Sequence, residues 1–365
     1  MSKYIKKHIK KILALLLTFL ILLGLFSNYS YIIYSPGPTL DVLGKIDQST
    51  YLVGIDGKDR KAYSGQLHLT TVSQEGGPGR YLSGLRLLSA FFDDEEEIKS
   101  LEEVYPSNVT REEIDNFNKS QMSLSQQNAL VAALNQIGKP PVANINIAGV
   151  DKSSSFYGKA QKGDKILSLE NSQKKVLATN SKDFYDLLAQ TPKGTSIKMQ
   201  VKRNNEIVTL EGKTLPASVD SVNGTKGSRL GIYLDAKYEF PEKVKFAIKD
   251  IGGPSAGLMF SLSIMNILSN EDFIGNNKIA GTGTISPNGV VGPIGGVRFK
   301  ILGTKHQNIK WFLLPEYNCK EALEKPVDGV RLIPVGDLGQ AKEVVTSIKS
   351  GKTDNLPKCE TIVKK

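Results

Sequence analysis

Asp250-Ile251-Gly252-Gly253-Pro254-Ser255-Ala256-Gly257-Leu258-Met259-Phe260-Ser261-Leu262 is the stretch from which the fold of the C-terminal half is read. Two glycines and a proline lead into an apolar helix predicted over Ala256 to Leu268. Ser255 then stands at a helix N-terminus, where free backbone N–H groups and the helix dipole favour a developing negative charge. Acyl transfer needs that setting, a nucleophile beside a ready oxyanion hole. Three readings compete. Ser255 is an N-cap; or, because Gly253-x-Ser255-x-Gly257 fits G-x-S-x-G, it is a hydrolase nucleophile elbow; or it is a nucleophile served by some other base.

Histidine is scarce enough to weigh on that choice. The chain holds only His8, His68 and His306. An elbow needs an acid and a histidine downstream, and only His306 follows Ser255, with too little chain for the usual strand and helix repeats. A lysine serves as base instead when burial disfavours its ammonium form. Downstream runs Ile279-Ala280-Gly281-Thr282-Gly283-Thr284-Ile285-Ser286, then Pro293-Ile294-Gly295-Gly296-Val297-Arg298-Phe299-Lys300. Taken singly, Lys300 is a solvated helix lysine and Thr282 a strand threonine.

Taken together and in order, these segments resemble the proteolytic domain of Lon proteases. The family's serine lies in G-P-S-A-G, matched at Ser255. Its catalytic lysine is the second of a P-I-G-G-L-K-x-K stretch, matched by Lys300, with Arg298 in the first basic position. A threonine in T-G-x-I-[ST], matched by Thr282, hydrogen-bonds that lysine. The likeness continues through Lys310-Trp311-Phe312-Leu313-Leu314-Pro315-Glu316-Tyr317-Asn318 and spans roughly residues 217–335. It implies a Ser255–Lys300 dyad, Thr282 orienting the lysine, and backbone N–H groups near Ser255 and Ala256 receiving the oxyanion. Two departures stand out. The acidic residue that often closely precedes G-P-S is here Asp250, separated from Pro254 by Ile-Gly-Gly. No Walker A sequence is present, since Gly351-Lys352-Thr353 lacks the earlier glycine, so no ATP is expected.

Ahead of this region, Val142–Gly149 reads as a strand, Ser153–Ser155 as a loop, and Lys165–Leu169 as a strand entered through Gly163-Asp164. A helix over Ser181–Gln190 and strands over Ser196–Arg203 and Ile207–Lys213, turning at Asn204-Asn205, complete the set. The order resembles a bacterial PDZ domain over about residues 142–215, which implies capture of an extended peptide near Ile145–Gly149. The alternative is another small α+β module. Before it, Asn118–Ile137 is a helix with an apolar stripe of Met122, Leu124, Ala129, Leu130, Ala133, Leu134 and Ile137. Leu40–Val42, Thr50–Ile55 and Gln66–Val72 read as strands, with His68 structural, and Asp93–Glu97 as a solvated acidic run.

At the N-terminus, Lys3, Lys6, Lys7, Lys10 and Lys11 supply half of the formal charge of +10, and the balance elsewhere is mild. No nucleic-acid footprint is read from it. Ile12–Tyr34 carries no charge and as a helix reaches roughly 34 Å, about one hydrocarbon core. Ser35-Pro36-Gly37-Pro38 is read as the turn that ends it. The competing reading is a cleaved signal peptide. Against it, Tyr29, Tyr31 and Tyr34 suit an interfacial belt, and the preceding lysines leave the N-terminus cytoplasmic and the rest outside. Cys319 and Cys359 are read as free or inert thiols, with a disulfide left open. No metal and no cofactor are expected.

The expected class is therefore α+β, in five parts. They are a cytoplasmic tip and anchor (1–34), an exported segment packing with the protease unit (35–141), a PDZ-like domain (142–215), a Lon-like protease domain (216–350) and a polar tail (351–365). With an anchor and no ATPase, the arrangement most resembles the membrane-anchored SepM/YlbL type of Gram-positive bacteria. That implies an extracellular serine endopeptidase acting on secreted peptides, such as a competence or quorum-sensing signal. Homo-oligomerisation stays open, as does a non-catalytic receptor role.

Overall fold

The computed structural model describes residues 2–56, 63–106, 108–217, 227–248, 251–269 and 271–364, with side chains from His8 onward. Asp250 lies outside the described residues. The chain divides into two compact units, Met1–Pro38 with Thr71–Asn118, and Thr39–Thr70 with Lys119–Lys365.

In the first unit a helix over Ser2–Phe26 carries an apolar stretch, His8–Phe26, of mean hydropathy 2.4 and exposed up to Leu23. At 1.5 Å per residue these 19 residues reach about 28 Å, one hydrocarbon core. The helix stops at Phe26, earlier than the uncharged run suggests. Asn28–Tyr29 pairs antiparallel with Leu82–Ser83, and Tyr31–Tyr34, at the start of the strand Tyr31–Asp41, pairs with Glu97–Ser100. Ile32 and Ile33 are fully buried. The tyrosines therefore belong to a β-ladder, as aromatic and β-branched residues favour, and do not prolong the apolar helix. The expectation of a turn at Ser35–Pro38 also fails. These residues are extended, which the φ of proline allows, and Gly37 lies so close to Thr71 that a Cβ would sit 2.3 Å from its Oγ1.

The second unit is built on parallel strands. Lys278–Gly281 lies between Gln66–Leu69 and the strand Trp311–Pro315, which in turn pairs with Arg331–Val335. Against them packs the helix Gly257–Leu268, apolar on every side and buried throughout its first ten residues, as such a helix must be. Its cluster includes Ala129, Leu130, Ala133 and Leu134 from the helix Arg111–Gln136, and Ala341, Val344, Val345 and Ile348 from Leu338–Lys349. The helix Arg111–Gln136 begins earlier than expected because Thr110 and Glu113 form a reciprocal cap. Leu124, read as part of its apolar stripe, is 49% exposed, and Ser125 is buried in its stead.

The part expected to be PDZ-like is an antiparallel sheet in the order Glu206–Lys213, Ser196–Arg203, Lys165–Glu170, Val142–Val150, Ile232–Glu239. The helix Ser181–Gln190 contributes Phe184, Leu187 and Leu188 to its core. Asn204 and Asn205 turn the hairpin with φ of 48° and 67°, as a two-residue turn requires. Residues 232–239 alternate apolar and polar, so Ile232, Leu234, Ala236 and Tyr238 pack on this core. The strand pairs Ala236 with Ile145 and Tyr233 with Gly149. The edge beside Ile145–Gly149, expected to receive a peptide, is thus filled by the chain itself.

Cys319 and Cys359 form a disulfide, correcting the reading of free thiols. Their sequence separation of 40 gave no clue to it, because the fold brings the helices Cys319–Glu324 and Cys359–Val363 side by side. Residues 351–365, read as a tail, carry the second of these helices.

Candidate active site

Ser255 lies in a turn two residues before the helix Gly257–Leu268, and Ala256 occupies the cap position without a side-chain cap bond. The helix starts one residue later than Ala256, and the N-cap reading of Ser255 is set aside. Gly257 is dictated by packing, since a Cβ there would meet Ile285 Cγ2 at 2.7 Å. The turn is held from three sides. Gly283 N–H donates to the Ser255 carbonyl at 2.8 Å, and Leu258 N–H donates to the Gly283 carbonyl at 3.0 Å. Ser125 Oγ, a residue the sequence reading missed, donates to the Pro254 carbonyl at 2.9 Å. Its signal was helical spacing, three residues after Met122 and four before Ala129 on the buried face.

Lys300 arrives on the helix Val297–His306, whose cap residue Gly296 is left-handed with φ of 65°, a conformation glycine adopts freely. Lys300 is 3% exposed. Its Nζ lies 2.7 Å from Ser255 Oγ and 3.0 Å from Thr282 Oγ1. Thr282, fully buried, donates its hydroxyl proton to the Ser255 carbonyl at 3.1 Å, leaving an oxygen lone pair to accept from Lys300. Burial pushes the Lys300 pKa down from 10.5 to about 7, against a smaller upward pull from the Glu321 carboxylate. A lysine with that pKa is substantially neutral at physiological pH. The structure thus brings Ser255, Lys300 and Thr282 together. The N–H groups of Ser255 and Ala256 sit just ahead of the first helical turn, whose N–H groups lack intrahelical partners.

Behind the lysine stands Asn318, to which the sequence reading gave no task. Its Oδ1 accepts from Ile294 N–H at 3.0 Å, and its Nδ2 donates to the Ile294 carbonyl at 2.9 Å and to Glu321 Oε2 at 3.1 Å. This fixes the loop that opens the lysine helix. Asn288, in the loop after Thr284–Ile285, donates to Asp186 Oδ1 of the PDZ-like helix at 2.9 Å.

The histidines are elsewhere. His68 hydrogen-bonds with Thr39 Oγ1 and Gln66 Oε1, both at 3.2 Å. His306 is the exposed last residue of the lysine helix, roughly 9 Å along the axis from Lys300. A hydrolase triad through His306 has no geometric support. Among the described residues, no group of three or more His, Cys, Asp or Glu side chains could hold a metal ion.

Comparison with known families matches residues 246–347 to the Lon protease (S16) C-terminal proteolytic domain. A search of curated proteins gave no match. Among solved structures, the PDZ domain of an SdrC-like protein from Listeria monocytogenes is 19% identical, covering 25% of this chain and 85% of its own, with a TM-score of 0.20. The corresponding domain from Listeria innocua is 19% identical over 25% of this chain and 92% of its own, with a TM-score of 0.18. A solution structure of the second domain of a Listeria protein is 22% identical, covering 25% of this chain and 83% of its own, with a TM-score of 0.20. Residues 246–347 match the Lon-type (S16) proteolytic domain, which supports a protease, and the N-terminal apolar helix fits a membrane anchor.

Proposed function

We propose that this chain is an ATP-independent serine endopeptidase working through a Ser255–Lys300 dyad. The observation that carries the proposal is the buried Lys300 Nζ, 2.7 Å from Ser255 Oγ and with its pKa lowered to about 7. In the neutral state the donors form a directed chain. Ser255 O–H points to the Nζ lone pair, Nζ–H to Thr282 Oγ1, and Thr282 O–H to the Ser255 carbonyl. Lys300 takes the serine proton as Oγ attacks the peptide carbonyl, and the N–H groups near Ser255 and Ala256 receive the oxyanion. The resulting ammonium then protonates the leaving amine, and water releases the acyl group by the reverse proton path. A Ser–Lys pair follows the general triad logic with burial replacing the histidine's intrinsic pKa.

The proposed site of action is outside the membrane, with the N-terminus cytoplasmic. Support comes from the lysines before the apolar helix and from the Cys319–Cys359 disulfide, which belongs to an oxidising compartment. Substrates would be short secreted peptides. The test is full-length enzyme incubated with secreted peptides and read by mass. Ser255→Ala and Lys300→Ala, folded as judged by circular dichroism, should each lose cleavage by at least about 10³-fold. Robust cleavage by either variant sinks the dyad, and no cleavage by the parent enzyme favours a binding role.

A further inference from the structure

We propose that the helix Gly84–Phe91, with Tyr81 before it and Phe92 after it, is a second membrane-contacting element. It lies in the headgroup region of a phospholipid bilayer beside the end of the N-terminal span. The inference is independent of the catalytic reading and rests on His8–Phe26 spanning the membrane.

The helix is apolar on both faces. One face packs into the first unit, where Ala90 and the flanking Leu82 are buried with Ile33, and Leu87 and Ile98 close the cluster. The other is bare. Leu85, Leu88 and Phe92 recur at helical spacing and are exposed, as is Tyr81 ahead of the helix. Phe91 is 74% and Phe92 77% exposed, and their rings meet edge to face at 5.3 Å. A contiguous apolar stripe of this kind marks an interaction surface.

What covers it follows from where it is tied. Gly84 N–H donates to the Ser27 carbonyl at 3.1 Å, and Leu82 pairs with Tyr29. Gly84 approaches the span so closely that a Cβ would sit 2.2 Å from the Gly24 carbonyl oxygen. Tyr29 also donates its hydroxyl to that oxygen at 3.1 Å. Gly24 and Ser27 flank Phe26, the last residue of a stretch about 28 Å long. They therefore mark the boundary between hydrocarbon and headgroups, and backbone contacts hold the short helix at that level. Aromatic side chains are favoured there.

Charge narrows the chemistry of the partner. Arg86, the one basic residue of the helix, is bound to Glu75 at 2.8 Å and to Glu96 at 2.7 Å. Asp93, Asp94 and Glu95 follow directly after Phe92. Adsorption must come from apolar insertion and not from attraction to anionic lipid, so it should persist in neutral phosphatidylcholine and in high salt.

The experiment uses the full chain in phosphatidylcholine vesicles, with Phe91→Trp and Phe92→Trp compared with the parent, whose sole tryptophan is Trp311. Alkali-resistant flotation with the vesicles first reports the span. A nitroxide placed on the lipid chain near the headgroup should then remove about half of the added tryptophan emission in at least one variant, with or without high salt. A nitroxide at the acyl terminus should quench it less. Emission quenched by aqueous iodide and untouched by lipid nitroxides would put the helix in water and overturn the proposal. Emission shielded from both would put it against another copy, which overturns it equally. Loss of flotation overturns the span and the interfacial helix together, and leaves cleavage as a separate question.

Discussion

Lys300 illustrates what one buried amine costs and supplies. Its folded pKa of about 7 lies below the ordinary 10.5, so between those values the unfolded chain binds a proton that the folded chain does not. Stability therefore rises with pH across that window, at about 1.4 kcal/mol per unit. Lys300→Met removes the titration, while leaving the Ser255 and Thr282 hydroxyls short of a partner. It should stabilise the fold by about 2 kcal/mol at pH 7, and the advantage should shrink toward pH 10 in thermal unfolding scans. A lysine engaged only in surface pairing would give no such trend. The identities of Ser255, Thr282 and Lys300 were legible because each sits in an ordered motif. Their geometry was not. That Thr282 Oγ1 faces both Lys300 Nζ and the Ser255 carbonyl depends on strand and helix meeting across a sequence gap of 27 residues.

At the scale of elements, two helices bring the serine and lysine together, and each is pinned by a loop contact. Asn318, three residues after the strand Trp311–Pro315 ends, holds both backbone groups of Ile294. Asn318→Ala leaves that partly buried N–H and carbonyl without their side-chain partner, which should destabilise by about 1 kcal/mol. It should also lower kcat more than it raises KM, because the lysine helix loses its register while the substrate surface stays in place. Equal stability with unchanged kcat would show that the loop holds itself. The sequence marked Asn318 as part of a P-E-x-N ending, but no pattern along the chain announces a side chain that clamps a loop 24 residues upstream. The strand Ile232–Glu239 was legible and passed over: its strict alternation is a half-buried strand signal. Tyr29–Tyr34 went the other way. An uncharged apolar run reads alike whether it enters lipid or a β-ladder, and only its pairing partners far along the chain decide.

Across the whole molecule, the disulfide ties the C-terminal helix Cys359–Val363 to the helix that carries Glu321. Both cysteines share a core cluster with Val297 and Ile301 of the lysine helix. Closing a loop of this length contributes up to about 4 kcal/mol in the chain-entropy account. Cys319→Ser with Cys359→Ser, or reduction, should therefore lower Tm by several degrees in a calorimetric scan, and an unchanged Tm would show that packing alone holds the C-terminus. The central claim concerns a serine made nucleophilic by a buried neutral lysine, and it is tested most directly by a serine-acylating probe on the full-length enzyme, read by peptide mass across pH. The account predicts one adduct, at Ser255, forming faster as pH rises through about 7 and absent in Lys300→Ala. An adduct at another residue, or labelling of Ser255 at full rate without Lys300, would contradict it.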